Sequence, residues 1–168
     1  MYYWDVDSKS SLPEQAVERA MVAIRRRQTR RALAQRAQAD QRRAVSPAVT
    51  ELLDAVEAEA AAGRDVTVTG LTRLLAVDQP RASKLTRLAV SAGLLRRLAD
   101  QQDGRRSTLE LTVDGISYLD TVHRYRQSQF AHAMDGWTST ERAVFADLLT
   151  RFVTALDAAD NVSRTKAS

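Results

Sequence analysis

Residues 99–115, ADQQDGRRSTLELTVDG, place Asp103, Arg105 and Arg106 around Gly104. The guanidinium group of arginine is a planar, permanently charged fork that binds phosphate oxygens and the edges of guanine bases. Asp103 stands two residues before Arg105, so its carboxylate could brace that guanidinium through a charge-assisted hydrogen bond. These residue types and their spacing are suited to binding a polyanion, and specifically to reaching the electronegative minor groove of DNA.

The segments on either side of this group predict a β-hairpin that would position it. Residues 94–99, LLRRLA, and residues 107–111, STLEL, read as two strands joined by the loop that contains Gly104. An ordinary solvated turn is the alternative, because Asp-Gly is common hairpin chemistry. The helices that precede the hairpin favour the DNA-binding interpretation.

Two short helices are predicted before the hairpin. Thr69 is expected to cap the first, which carries Leu71, Leu74 and Leu75, and Asp78 to cap the second, which Gly93 ends. The predicted core face of the second helix is Ala82, Leu85, Leu88 and Ala89. Its opposite face is polar and cationic: Gln79, Arg81, Ser83, Lys84 and Arg87. Two such helices followed by a hairpin are typical of a winged helix-turn-helix.

Helical segments flank this predicted motif on both sides. Residues 13–40 form a long, weakly amphipathic helix with Val17, Met21 and Ile24 on one stripe. Ser46 and Pro47 begin a helix that ends at Gly63, with Val49, Leu52, Leu53 and Val56 buried. Thr112 caps a helix that runs to about Met134, with a face of Ile116, Leu119, Val122 and Tyr125. The capping box at residues 138–141 starts a last helix with a wide apolar stripe: Val144, Phe145, Leu148, Leu149, Phe152 and Leu156.

The predicted fold class is mainly α (α+β), a winged helix-turn-helix with N- and C-terminal helices that form a dimerisation region. We expect a flexible N-terminal arm at 1–13 and an N-terminal dimerisation helix at 14–43. The DNA-binding lobe would occupy 44–112, the C-terminal dimerisation helices 113–158, and a disordered tail 159–168. The apolar stripes of the first and last helices are larger than the surface that a single winged helix could cover, which favours pairing of two chains.

Composition excludes several classes of protein. The chain of 168 residues has no cysteine, so disulfides and thiolate metal sites are ruled out, and its formal net charge is +4. Neither a secretory signal nor an apolar run long enough to cross a membrane is present, and a cytoplasmic location is expected. His123 and His132 are nine residues apart, which does not suit two metal ligands on one helix face. No phosphate loop or nucleophile elbow is found. We therefore expect no enzyme activity, no cofactor and no metal.

The segment DGRRSTLELTVDG resembles the wing signature of the MarR family of regulators, D-x-R-x-x-x-L-x-L-T-x-x-G. The matching residues are Asp103, Arg105, Leu109, Leu111, Thr112 and Gly115. Residues 71–97 are similar to the family's helix-turn-helix, and the resemblance extends over roughly residues 46–157. Near Leu88 and Val90 the family usually carries charged residues, and a leucine where Ala89 stands.

This resemblance implies a homodimeric bacterial transcription factor, commonly a repressor, that binds a palindromic operator in double-stranded DNA. It also implies a possible small aromatic ligand that releases DNA. Six residues could line its pocket, although packing is the plainer role for each: Trp4, Tyr118, His123, Tyr125, His132 and Trp137. Two alternatives remain: a non-specific nucleoid-type DNA binder, and a winged-helix protein-interaction module without a ligand.

The second predicted helix, which is the recognition helix of the motif, and the tip of the hairpin, which is its wing, have separate expected roles. Gln79 and Arg81 are the expected base readers because the N-terminal residues of such a helix enter the major groove. Ser83, Lys84 and Arg87 are expected to hold phosphates, and Arg105 and Arg106 of the wing to flank the minor groove. The arginine-rich residues 23–44 could touch phosphates, form a dimer edge, or be a solvated helix face.

Overall fold

A computed structural model describes residues 12–39, 45–99 and 107–166. In this part of the chain six helices and a small antiparallel sheet follow one another. In order they are α1 (Pro13–Ala39), α2 (Pro47–Ala61), β1 (Val66–Thr67), α3 (Val68–Leu74), α4 (Gln79–Ser91), β2 (Leu95–Ala99), β3 (Ser107–Leu111), α5 (Val113–Ala133) and α6 (Ser139–Lys166). The chain divides into two units, Met1–Leu119 and Asp120–Ser168. The predicted fold class is confirmed for the winged helix, which lies in the first unit.

The second helix, α2, begins and ends as its sequence predicts. The Ser46 side chain accepts a hydrogen bond from the backbone N–H of Val49, and Pro47 occupies the first turn, where its missing N–H costs nothing. The predicted apolar face is buried: Val49, Leu52, Leu53 and Val56. This face forms the centre of the first unit's core, together with side chains from the sheet, α3, α4 and the start of α5.

The third helix, α3, starts earlier than expected. Its cap is Thr67, whose Oγ1 accepts a hydrogen bond from the backbone N–H of Gly70 at 3.0 Å, so the prediction of Thr69 as the cap is wrong. Thr67 is also the last residue of β1, and its extended backbone is the conformation that an N-cap requires. The strand therefore passes directly into the helix. Leu71 is buried, whereas Leu74 is exposed and Leu75 half-buried.

The hairpin predicted by alternation is confirmed, and it belongs to a three-stranded antiparallel sheet of order β1-β3-β2. Leu95 pairs with Leu111, and Arg97 with Leu109. Leu95 and Leu109 are buried on the inner face of the sheet. On the outer face Arg96 pairs with Glu110, and the two side chains form an ion pair of 2.6 Å. Alternation along β2 thus sends two neighbouring arginines to opposite faces.

The fourth helix, α4, buries a different set of residues from the one predicted. Asp78 caps it by accepting from the backbone N–H of Arg81 at 2.8 Å, as expected. The buried residues are Ala82, Leu85, Thr86 and Ala89, whereas Leu88 is 47% exposed. The assignment of Leu88 to the core is therefore wrong. Thr86 takes a core position at little cost because its hydroxyl donates to the carbonyl of Ala82 at 2.9 Å.

The junction between the hairpin and α5 is held by Thr112. Its hydroxyl donates to the carbonyl of Gly93 at 2.6 Å and accepts from the backbone N–H of Gly115 at 3.0 Å. Its own backbone N–H donates to the carbonyl of Leu94. A Cβ atom at Gly115 would lie 2.1 Å from that same carbonyl oxygen. Threonine and glycine at these two positions thus let the start of α5 close against the end of α4.

The first helix, α1, has little of its surface covered. Of its side chains from residue 13 to 30, Val22 is half-buried and the others are exposed. Its predicted stripe of Val17, Met21 and Ile24 is 38% to 48% exposed. Within the described residues, no helix is long and apolar enough to cross a membrane.

In the second unit the predicted capping box begins α6. The Glu141 carboxylate accepts from the backbone N–H of Thr138 at 2.8 Å, and the Thr138 hydroxyl accepts from the backbone N–H of Glu141 at 3.2 Å. The hydrogen bonds from Thr138 hold the pKa of Glu141 below its ordinary value. The helix continues to Lys166, through the residues for which a disordered tail is predicted, because residues 139–166 contain no glycine or proline.

Candidate nucleic-acid interface

The outer side of α4 carries five of the eight residues that the sequence assigns to DNA binding, those of the recognition helix. Ser83 is half-buried and the other four are exposed: Gln79, Arg81, Lys84 and Arg87. Residues three and four apart share a face of a helix. Gln79 and Ser83 therefore lie on one flank of α4, and Arg81, Lys84 and Leu88 on the other. The structure brings these residues together on one helix, and their contacts with DNA stay predictions.

The cations of α4 have no carboxylate partner among the described residues. Arg81, Lys84 and Arg87 take part in no ion pair in that part of the chain. Asp78 is the acidic residue at the start of the helix, and its carboxylate is engaged with the backbone N–H of Arg81. Asp78 also fixes where α4 starts, and so it positions Gln79 and Arg81 in the first turn. The outer side of α4 is a cationic surface that can attract an anionic partner.

A polar groove of about 580 Å³ adjoins α4. It lies between the start of α3, the first turn of α4 and the hairpin strands. Nine of the described residues line it: Thr67, Val68, Thr69, Gly70, Arg73, Gln79, Ser83, Arg97 and Ser107. Gln79 and Ser83 thus belong both to the cationic helix and to this groove, which we call the Arg73–Arg97 groove.

The wing residues Asp103, Arg105 and Arg106 lie outside the described residues. The strands that lead to them are described, and the last described pair of the ladder is Ala99 with Ser107. Ser107 lines the Arg73–Arg97 groove, so the base of the wing borders the groove. The bracing of Arg105 by Asp103 stays a prediction.

Sequence reasoning missed three residues of this surface: Arg73, Leu88 and Arg97. Alternation could have found Arg97, because it stands two residues after the buried Leu95 and must share its face of β2. Helical spacing alone predicts a core position for Leu88, because it gives no sign of which face of α4 is covered. No local signal marks Arg73, which lies near Arg97 only because β1 leads into α3 beside the hairpin.

Most of the aromatic and histidine residues suggested for a ligand pocket can be placed. The hydroxyls of Tyr118 and Thr50 form a hydrogen bond of 2.7 Å beside the core. Trp137 packs edge-on against Phe145, with ring centroids 5.4 Å apart. His123 is half-buried, Tyr125 and His132 are exposed, and Trp4 lies outside the described residues. Tyr118 and Trp137 therefore have packing roles, and a ligand role for the group stays a prediction.

No family model and no curated protein match the sequence. Solved structures do match. A MarR family protein from Bacillus stearothermophilus is similar with a TM-score of 0.67 and 18% identity, over 88% of this chain and 99% of that one. A mutant of S. aureus MepR bound to an oligodeoxyribonucleotide has a TM-score of 0.55 and 20% identity, over 83% of this chain and 97% of that one. Bordetella bronchiseptica BpsR, whose DNA binding is regulated by 6-hydroxynicotinic acid, has a TM-score of 0.51 and 19% identity, over 80% of this chain and 98% of that one. The chain has the winged-helix fold of the MarR proteins.

Proposed function

We propose that this chain is a transcriptional regulator of the MarR type that binds double-stranded DNA sequence-specifically. The observation that carries the proposal is the outer side of α4, where Arg81, Lys84 and Arg87 have no described carboxylate partner. The fold shared with the oligonucleotide-bound MepR supports the same assignment. The protein would act by binding and not by catalysis.

The binding unit is a homodimer. The apolar stripe of α6 is exposed in the single chain, with six side chains between 42% and 53% exposed: Val144, Phe145, Leu148, Leu149, Val153 and Leu156. Soluble monomers rarely leave a contiguous apolar surface of this kind uncovered. The exposed stripe of α1 supports the same conclusion. Two α4 helices related by a two-fold axis would meet successive major grooves, so the operator is an inverted repeat.

The protein would regulate transcription by occupying that operator, and the proposed effect is repression. Release by a small aromatic ligand is part of the proposal, and the regulation of BpsR by 6-hydroxynicotinic acid supports it. Such a ligand must bind more tightly to the dimer conformation that does not fit DNA.

Selection of bound sequences from a random duplex pool tests the function directly. We expect a two-fold symmetric consensus with half-site centres about 10 base pairs apart. Enrichment without a consensus would favour the nucleoid-type binder, and absence of enrichment at low salt would favour the protein-interaction module.

Substitution of Arg81 tests the role of α4 on the selected duplex. By fluorescence anisotropy we expect Arg81→Ala to weaken binding by about 1–3 kcal/mol and to relax specificity at one base pair of each half-site. Arg64→Ala removes the same charge from a residue that is paired with Glu59 outside α4 and the groove, and it should bind as the wild type does. Equal affinities of the wild type and Arg81→Ala would contradict base reading by this residue.

A further inference from the structure

The Arg73–Arg97 groove has the chemistry of an anion site. Among the described residues, its lining contains two guanidinium groups and no carboxylate. The Thr67 hydroxyl oxygen already accepts from Gly70 in capping α3. The hydroxyls of Thr69, Ser83 and Ser107 complete the polar lining. Charged and neutral donors together suit an anion that offers several oxygens.

Both guanidinium groups are free of ion pairs with the described residues. Arg73 and Arg97 are exposed, and neither takes part in an ion pair in that part of the chain. The neighbouring Arg96 differs sharply. It points to the other face of the sheet and is bound to Glu110, with its Nε 2.7 Å from a carboxylate oxygen. Arg96 is thus neutralised by Glu110, whereas Arg97 faces the groove and has no counter-charge among the described residues.

The position of the groove identifies the anion. Gln79 and Ser83 of the first turns of α4 lie on its wall, and these turns are the part of a recognition helix that enters the major groove. A DNA strand that meets them must carry its sugar-phosphate backbone past the adjoining surface. Contacts to phosphates from neighbouring elements fix the register of a protein on the duplex.

We propose that the Arg73–Arg97 groove holds a backbone phosphate of the DNA strand that borders α4, with Arg73 and Arg97 as its cationic contacts. This inference rests on the proposed function. It assigns DNA contacts to two residues outside both the recognition helix and the wing tip. It also makes the base of the hairpin a positioning element, because Arg97 is fixed by the same ladder that buries Leu95 and Leu109.

Four arginine substitutions test the proposal by the salt dependence of binding. Arg73→Ala and Arg97→Ala, singly and together, are compared with Arg96→Ala, which removes an equal charge from the adjacent residue of the same strand. For each lost phosphate contact the slope of log K against log salt should fall by about 0.9. The double variant loses the one phosphate that the groove holds, so its slope should fall by about 0.9, whereas the slope of Arg96→Ala should stay unchanged. Arg97→Lys keeps a cation and should retain the wild-type slope.

The affinity for unrelated duplexes supplies a second readout. A phosphate contact carries no sequence information, so Arg73→Ala and Arg97→Ala should weaken binding to the selected duplex and to a shuffled duplex by the same factor. Unchanged circular dichroism spectra and melting temperatures would show that these exposed substitutions leave the fold intact.

Three outcomes overturn the inference and separate it from the proposed function. A wild-type slope in the double alanine variant, with the wild type still selecting a symmetric consensus, would reject the groove and leave the function standing. Loss of affinity for the selected duplex alone would mean that these residues read bases, which also rejects a phosphate site. A wild-type protein that ignores duplex DNA would reject the function itself, and the groove with it.

Discussion

Thr112 and Gly115 show how two residues of a motif hold the winged helix closed. The Thr112 hydroxyl donates to the carbonyl of Gly93 and accepts from the backbone N–H of Gly115. The absence of a side chain at Gly115 allows the carbonyl of Leu94 to come close to the helix. The threonine and glycine of L-T-x-x-G thus have a structural reason, which is separate from any contact with DNA.

Gly115→Ala should destabilise the protein. The added Cβ would lie 2.1 Å from the Leu94 carbonyl oxygen, so the backbone must move, and we expect a loss of about 1–3 kcal/mol in the free energy of unfolding. Gly70→Ala is the matched control, since its Cβ would meet Thr67 Oγ1 at an ordinary 3.4 Å. It should stabilise α3 by up to about 1 kcal/mol.

Urea unfolding at one fixed protein concentration measures both glycine variants. Equal midpoints for the wild type and Gly115→Ala would contradict the close approach of α5 to the carbonyl of Leu94. A destabilised Gly70→Ala would contradict the space that the structure gives around α3.

At the scale of elements, local signals predicted where most helices begin and where the hairpin lies. Asp78 and Ser46 cap their helices through hydrogen bonds within three residues. Such signals are contained in the sequence itself. The sequence places the cap of α3 two residues too late, because Thr67 and Thr69 both have side chains that can cap a helix, and the end of β1 decides between them.

The buried face of α4 could not be predicted from spacing alone. Leu88 and Thr86 are both compatible with a helical period, and hydrophobicity favours Leu88 for the core. The structure reverses this choice, since the packing of α4 against α2 and α3 decides which face is covered. The Arg73–Arg97 groove escaped prediction for a related reason, because its cations come from segments that meet only in the folded chain.

Two leucine substitutions check the orientation of α4. Leu85 is 8% exposed, and Leu85→Ala should cost about 2–5 kcal/mol in the free energy of unfolding. Leu88 is 47% exposed, so Leu88→Ala should change stability by no more than about 0.5 kcal/mol. Chemical unfolding compares the two, and similar losses in both variants would mean that the helix is rotated from its place here.

At the scale of the whole molecule, two long helices leave apolar stripes exposed. The stripe of α6 continues over more than three turns, from Val144 to Leu156, and α1 adds Val17, Met21 and Ile24. The sequence predicted that these stripes need a partner, because their period is clear and a winged helix is too small to cover them.

A charge placed on the stripe of α6 should separate the two chains of the proposed dimer. Leu148→Glu puts a carboxylate at its centre, where burial against a second chain would cost far more than exposure to water. Thr150→Glu adds the same charge on the opposite side of α6, where Thr150 is exposed. Light scattering coupled to size exclusion should give the mass of two chains for the wild type and Thr150→Glu, and one chain for Leu148→Glu. A wild-type mass of one chain would reject the dimer.

The arginine doublet of β2 bears on how the hairpin can change over evolutionary time. If β2 slipped by one residue against β3, Arg96 would take the place of Arg97, and the groove would keep its positive charge. The same slip would carry Leu95 out of the core, because every side chain of a strand changes face together. The positive charge of the groove is therefore tolerant of this error, whereas folding is not. Selection against one-residue insertions or deletions here would act on stability first.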